Sequence, residues 1–206
     1  MNKDILYLAS GSMPRKKLLE EAKIDFKILD HFANELEINF SDHFDSYVLD
    51  IAKAKMKDAV LPKVEEGQAI FVLTADTLVY TKDSKEILGK PKDIQDAKRM
   101  LKIVSTQSVD VVTGCCLEKK ILKNRQWQKV DHSYWVTKSQ VEFKVEEVDF
   151  EQYFKNLPQA LSSASGGIIE NYGQRFCKTI NGSYSNIMGL PIFELVQELK
   201  KMNFKL

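Results

Sequence analysis

The sequence predicts an α/β fold in which a mixed central β-sheet is flanked by helices, an elongated single domain of two lobes spanning residues 1–206. Three observations predict it. Short apolar runs alternate with amphipathic helical stretches along the whole chain, as in mixed α/β architectures. Two longer segments, residues 107–117 and 127–144, are rich in Val, Thr, Trp and Tyr and read as extended antiparallel strands. Hydrophobic residues make up 44% of the chain and charged residues 29%, a soluble globular balance that excludes disordered, collagen-like and mucin-like classes.

Taken in order, residues 5–9 form a short apolar run that reads as a buried strand. A helix over residues 14–22 follows, with Leu18, Leu19 and Ala22 on one side and Pro14 suited to its first turn. Residues 26–29 are a second strand. Ser46 is a fitting N-cap for a helix that runs to residue 59, in which Val48, Ile51, Ala52, Met56 and Ala59 hold one face. Residues 69–74 are the most apolar strand of the chain, and Leu78-Val79-Tyr80 leads into a hairpin turn at Lys82-Asp83-Ser84. Ile94, Ala97, Leu101 and Val104 mark another helix. The last helix, after Pro191, carries Ile192, Leu195, Val196, Leu199 and Met202 on its apolar stripe. No repeat, low-complexity tract or linker interrupts this order.

Thirty Lys and Arg against 29 Asp and Glu leave a net charge of +1. No global field therefore draws the protein to nucleic acid or to an anionic membrane, and any anion binding is local. The three cysteines, two of them adjacent at Cys115 and Cys116, provide neither a disulfide framework nor a C-x-x-C metal spacing. The opening apolar run is too short for a secretory signal, and no stretch approaches the roughly 20 apolar residues of a membrane span. The expectation is a cytoplasmic protein without nucleic-acid or membrane partners.

The first strand-loop-helix unit, Leu8-Ala9-Ser10-Gly11-Ser12-Met13-Pro14-Arg15-Lys16-Lys17, sets two hydroxyls, a glycine and three cations around a helix amino terminus. Free N–H groups and the positive end of the dipole favour an anion there, whereas first-turn cations are mildly unfavourable without one. The alternative is that Lys16 with Glu20 and Lys17 with Glu21 are ordinary surface pairs. Lys55 shares the stripe of Val48, Ile51, Ala52 and Met56, while Lys53 and Lys57 point elsewhere. Either its ammonium meets an inward partner, since an unpaired buried charge is destabilising, or its stem lies along the stripe and its head reaches water. Asp76 follows the strand of residues 70–75, and ligand sites of open α/β sheets gather at the carboxyl ends of such strands. A carboxylate there suits metal or base work. Lys90, between Gly89 and Pro91, adds a cation on a rigid turn, and Glu35 lies in a polar loop with Asn34 and Glu37. His31, His43 and His132 show no ligand spacing and read as solvated or structural.

Together these segments resemble the Maf family of nucleotide pyrophosphatases, from Ile5 to the last helix. The family's opening S-x-S-P-R-R-x-x-L-L is met by Ser10-Gly11-Ser12-Met13-Pro14-Arg15-Lys16-Lys17-Leu18-Leu19. L-A-x-x-K-A is met by Ile51-Ala52-Lys53-Ala54-Lys55-Met56, A-D-T by Ala75-Asp76-Thr77, L-G-K-P by Leu88-Gly89-Lys90-Pro91 and T-G by Thr113-Gly114. Ile180, Gly182, Tyr184, Asn186, Gly189, Leu190 and Pro191 match I-x-G-x-Y-x-N-x-x-G-L-P. Single motifs of this length are weak, whereas six in the same order over nearly the whole chain are specific.

The resemblance implies a Maf/ITPase-like fold, a homodimer, and hydrolysis of nucleoside triphosphates to monophosphate and pyrophosphate with Mg²⁺ or Mn²⁺, a housecleaning of non-standard nucleotides. Asp76 is then the general base or a metal ligand, Glu35 the second carboxylate for the metal, and Ser10, Ser12, Arg15, Lys55 and Lys90 the phosphate contacts. Such residues position water in line with the α-phosphorus and neutralise the departing pyrophosphate. Met13 and Pro14 depart from the family's Pro and first Arg, Val109 from its His, and residues 157–164 lose a Glu, an Asp and a Lys; these changes bear on rate and substrate more than on reaction type. Pro14, Thr77 and Glu170 stand where the family's branches differ in base choice. Thr77 matches the branch that prefers dTTP and UTP, while Pro14 and Glu170 do not. A carboxylate only accepts hydrogen bonds, which suits the N1–H and exocyclic amine of guanine and a cationic 7-methylguanine. Glu170 therefore inclines the expectation toward a modified or guanine-type nucleotide, with dTTP and UTP the alternative. The competing class is a weakly catalytic nucleotide-binding regulator linked to septum formation; a nucleic-acid module ranks third, for want of a basic face with aromatics.

Overall fold

The computed structural model describes residues 4–40 and 43–206. The chain divides into two compact units, one built from residues 1–76, 113–137 and 188–206, the other from residues 77–112 and 138–187. Strands β1 (Leu6–Leu8), β2 (Phe26–Ile28), β3 (Ala69–Thr81), β4 (Ile87–Leu88), β5 (Val109–Lys123), β6 (Gln126–Phe143) and β7 (Cys177–Asn181) form a mixed sheet in the order β2-β1-β3-β5-β6-β7, with β4 paired to β3. Among the described residues six α-helices accompany it: α1 (Met13–Glu21), α2 (Phe44–Lys57), α3 (Ile94–Thr106), α4 (Phe150–Asn156), α5 (Tyr184–Ile187) and α6 (Ile192–Lys201). The α/β class and the mixed sheet are those expected.

In the first unit β1 lies parallel between β2 and β3, with Leu6 opposite Phe26 and Phe71 and Leu8 opposite Ile28 and Leu73. Leu6 and Leu8, on one face of β1, are fully buried, as is Leu19 of α1, while Tyr7 on the other face is half-buried. The Val48, Ile51, Ala52 and Met56 stripe of α2 is buried too, and its core continues through Ile70, Val72 and Cys116. Gly114 admits α2 at this point, because a Cβ there would lie 2.7 Å from the backbone of Leu49. Burial pushes the Cys116 thiol up to about 12 and raises that of Cys115 as well. Both behave as small core hydrophobes rather than as nucleophiles. The β5–β6 turn at Asn124 and Arg125 has φ of 53° and 60°, the left-handed pair that fits a two-residue hairpin, and the Glu66 carboxylate accepts both backbone N–H groups.

Two departures from expectation concern the elements that carry Lys55 and Asp76. Helix α2 begins at Phe44 with His43 as its N-cap, and the Ser46 hydroxyl donates instead to the His43 carbonyl at 2.8 Å. A serine inside the first turn can bond back to the chain as readily as a cap bonds forward. Strand β3 runs unbroken through Ala75-Asp76-Thr77, so Asp76 lies within a strand and not after one. Its parallel register with β1 ends at Leu73, with Ala9 N–H reaching the Leu73 carbonyl at 2.9 Å, and its antiparallel pairing with β4 begins at Val79. Asp76 stands in the interval between these two partners.

The second unit packs Tyr153 of α4 at its centre, fully buried among Phe143, Phe154 and Phe176 with ring centroids 5.3–6.1 Å away. Asp93 caps α3, its carboxylate accepting the Asp96 N–H at 2.8 Å. After α4 the chain runs through short 3₁₀ turns to Arg175, and in them buried Ser165 has φ of +58°. A side chain there costs about 1–2 kcal/mol, against the roughly 0.5–1 kcal/mol that glycine forfeits in chain entropy. Ser165→Gly is expected to raise Tm by roughly 1–3 °C in thermal unfolding; a fall would show that the strain is absent or otherwise compensated.

Candidate active site

The N-terminal loop is built around Ser10 and Arg15, both buried. Ser10 Oγ accepts the Ser12 N–H at 3.3 Å and the Arg15 Nη1–H at 3.1 Å. Arg15 Nε–H donates to the Gly189 carbonyl at 2.8 Å across 174 residues of chain, and Gly189 supports that turn with φ of +103°. The first turn of α1 holds no acidic residue, and the hydroxyl of its N-cap, Ser12, makes no capping bond. The helix amino terminus thus keeps its affinity for an anion. Lys17 and Glu21 form the expected surface pair, at 3.9 Å. Burial draws the Arg15 guanidinium down from its ordinary value, countered by the charges of Asp76 and Glu35.

Lys55 has the inward partner. Its ammonium lies 2.7 Å from Asp76 Oδ1 and 2.9 Å from Glu35 Oε1, with the lysine side chain only 8% exposed. Three features of the fold bring them together. The helical period turns Lys55 inward while Lys53 and Lys57 are exposed. The Thr74 hydroxyl donates to the Ala52 carbonyl at 2.7 Å, which sets β3 against α2 two residues before Asp76. The chain after β2 is laced to the end of α2 by Val60 N–H to Asp30 O and Phe32 N–H to Asp58 O, so the 3₁₀ turn at Glu35–Glu37 follows close to Lys55. Asp76 Oδ2 is buried and has no hydrogen-bond partner among the described residues.

That donor set fits a hard divalent cation. Mg²⁺ and Mn²⁺ are held by one or two carboxylates and completed by water and phosphate oxygens, and Asp76 and Glu35 offer two carboxylates with one buried oxygen unpartnered. No group of three or more His, Cys, Asp or Glu suited to a metal occurs among the described residues. A cation held here would thus complete its shell from substrate and solvent.

Of the other expected residues, Pro14 sits half-buried in the first turn of α1. Thr77, Lys90 and Glu170 belong to the second unit: Thr77 follows Asp76 in β3, Lys90 is exposed, and Glu170 is half-buried with its carbonyl accepting the Gly173 N–H at 2.8 Å. Asn186, in the terminal motif, is a packing residue whose amide donates to Val111 O and Ser139 Oγ, both at 3.0 Å.

His31, one of three histidines read as solvated or structural, holds a structural place and also feels the charges of the site. It pairs with Ala59 in an isolated bridge, and its Nδ1 is buried without a partner among the described residues. Burial, then Lys55, hold it below its ordinary value, with Arg15 adding to them and Glu35 and Asp30 opposing. A lone histidine carries no periodic signal, so only the fold reveals that it feels the site. Because its folded value is depressed, the unfolded chain binds the extra proton first. The stability it contributes is present above about pH 6.5 and is lost as pH falls. His31→Asn is expected to flatten the decline in Tm between pH 7 and 5; parallel curves for native protein and variant would contradict this.

Fold and site together define an α/β protein in which a helix amino terminus with no acidic residue in its first turn accompanies a buried Lys55–Asp76 ion pair joined by the half-exposed Glu35. The chain belongs to the Maf-like protein family, whose model matches residues 5–202. It is 36% identical over 200 residues to a dTTP/UTP pyrophosphatase of Acholeplasma laidlawii, covering 97% of each chain. Proteins of the same name from Ruminiclostridium cellulolyticum and Bacillus cytotoxicus are each 34% identical to it, over 98% and 95% of this chain and 97% and 94% of theirs. No helix among the described residues is long and apolar enough to cross a membrane.

Proposed function

We propose that the protein is a nucleoside triphosphate pyrophosphatase that cleaves between the α- and β-phosphates and prefers dTTP and UTP. The observation that carries the reaction is Lys55 held between Asp76 and Glu35 with Asp76 Oδ2 unpartnered. In this reading the phosphates lie at the amino terminus of α1, against Ser10, Ser12, Arg15 and Lys55. The oxygen of a water attacks the α-phosphorus, and Asp76 Oδ2 takes its proton. The bond from the α-phosphorus to the bridging oxygen breaks, and pyrophosphate leaves with the electron pair, its charge met by the cationic side chains. Asp76 and Glu35 would hold Mg²⁺ or Mn²⁺, which supplies neutralisation of the phosphate oxygens.

For the base, the names of the relatives and the match of Thr77 to the dTTP- and UTP-preferring branch support thymine and uracil. They weigh against the guanine-type substrate that the carboxylate of Glu170 suggested. That argument assumed the carboxylate alone reads the base, and one acceptor is a weaker determinant than a set of contacts. Assaying pyrophosphate release from dTTP, UTP, GTP and 7-methyl-GTP tests both parts. The expected result is monophosphate and pyrophosphate as primary products, with kcat/KM at least about tenfold higher for dTTP or UTP. Orthophosphate and diphosphate as primary products would overturn the reaction. A preference for GTP or 7-methyl-GTP, abolished by Glu170→Gln, would return the choice of base to Glu170.

A further inference from the structure

Ile70, Val72, Thr74 and Asp76 stand two residues apart along β3 and so share one face of the strand. Ile70 and Val72 belong to the apolar core with Ala52 and Met56 of α2 and Cys116 of β5, and beyond Thr74 this face carries the carboxylate that meets Lys55. Thr74 is where the packing changes character. It is fully buried, and its hydroxyl donates to the Ala52 carbonyl at 2.7 Å and lies in hydrogen-bond reach of the Cys116 thiol. A β-branched side chain has few rotamers in a strand, so the direction of this hydroxyl is itself restricted. Ala52 and Lys55 are three residues apart on α2, and Thr74 and Asp76 two apart on β3. The hydroxyl–carbonyl bond and the ammonium–carboxylate bond are therefore successive rungs between the same two elements. Apolar packing brings helix and strand together but is non-directional and lets them slide. The rung at Thr74 is the directional contact that adjoins the ion pair.

We propose that Thr74 is a positioning residue for the reaction: its bond to the Ala52 carbonyl fixes α2 along β3, so that Lys55 takes Oδ1 of Asp76 and leaves Oδ2 for the attacking water. The proposal rests on the role of proton acceptor proposed above for Asp76. The two oxygens of a carboxylate are chemically alike, and the placement of the ammonium decides which of them it meets. The four-carbon stem of lysine is flexible and does not enforce that placement by itself. A slide of about 1 Å along the strand brings the ammonium toward the second oxygen, and a misplacement of that size costs up to about a hundredfold.

Thr74→Val tests it, because the shape and the β-branch stay while the hydroxyl goes. The expected result is a fall of about tenfold or more in kcat with KM within about threefold of native, since Ser10, Ser12 and Arg15 still meet the phosphates. The accompanying fall in Tm should be only about 1–6 °C. Thr74→Ser, which restores the donor, should bring kcat back to within about threefold of native. In an Asp76→Asn background the same Val substitution should lower the residual kcat by less than about twofold, because the hydroxyl acts through residue 76. A folded Thr74→Val with native kcat would overturn the proposal, as would a Ser variant as slow as the Val variant, or the full loss repeated in the Asp76→Asn background. Should Thr74→Val fail to fold, Thr74→Ala takes its place with the same expectations. Failure of both would assign the hydroxyl to the fold and not to the site, which overturns the proposal as well. Lack of pyrophosphate release from every nucleotide by the native protein would count against the proposed activity instead. The placement of Lys55 is then read from stability: Thr74→Val and Lys55→Ala together should lower Tm by about 1–3 °C less than the sum of their separate falls, and additive falls would overturn it.

Discussion

Replacing Asp76 with Asn is expected to lower the kcat of pyrophosphate release by roughly 10²–10⁴-fold with little change in fold. The amide keeps the shape of the carboxylate and still offers Lys55 an oxygen, so the contact now at 2.7 Å can be retained. What disappears is the basicity and charge of Oδ2, the atom without a hydrogen-bond partner among the described residues. Lys55 then keeps Glu35 at 2.9 Å as its counter-charge, which limits the loss of stability. Steady-state pyrophosphate release alongside circular dichroism checks the result. Full activity in the variant, with divalent cations chelated, would remove Asp76 from the chemistry altogether.

Lys55→Ala has the opposite balance, with large effects on both stability and turnover. It leaves the Asp76 carboxylate, whose side chain is only 10% exposed, with no cation on the oxygen that Lys55 now meets. Breaking a buried pair by removing one partner costs about 3–5 kcal/mol, because the remaining charge stays out of water. A fall in Tm of roughly 6–20 °C is expected at this chain length, together with a loss of turnover of about a hundredfold or more. Lys53→Ala and Lys57→Ala serve as comparisons: both side chains are exposed, and Lys53 pairs only at the surface, with Asp50 at 3.3 Å. Each should stay within about 0.5 kcal/mol and a few-fold of native activity. Equal effects at all three positions would mean that the inward face of α2 has been wrongly identified.

Most elements could be read from the sequence because they are locally periodic. The stripe on α2, the Ile94 to Val104 spacing of α3 and the apolar run of β3 each declare their own partner face. Errors occurred where a local signal had two meanings. Ser46 is a capping residue type, yet in the structure it bonds back to His43. Asp76 follows an apolar run and so reads as lying beyond its strand, whereas in the structure β3 continues through it and Lys55 supplies the counter-charge.

By itself the sequence determined the α/β class, the order of the family's motifs and the inward phase of Lys55, all properties carried by neighbouring residues or by spacing along one element. The tertiary structure alone decided which groups meet. Glu35 reaches Lys55 because the chain after β2 is laced to the end of α2. Arg15 reaches the Gly189 carbonyl across 174 residues, and His31 falls within the field of both Lys55 and Arg15. Gly114 is required because the backbone of α2 packs against it, and the Tyr153 hydroxyl joins Gly166 to Ile168. The physical reason is common to all of them: hydrophobic periodicity specifies which face of an element is buried but is blind to direction. Hydrogen bonds and ion pairs depend on distance and angle at the scale of tenths of an ångström, and those are settled only when the elements have packed.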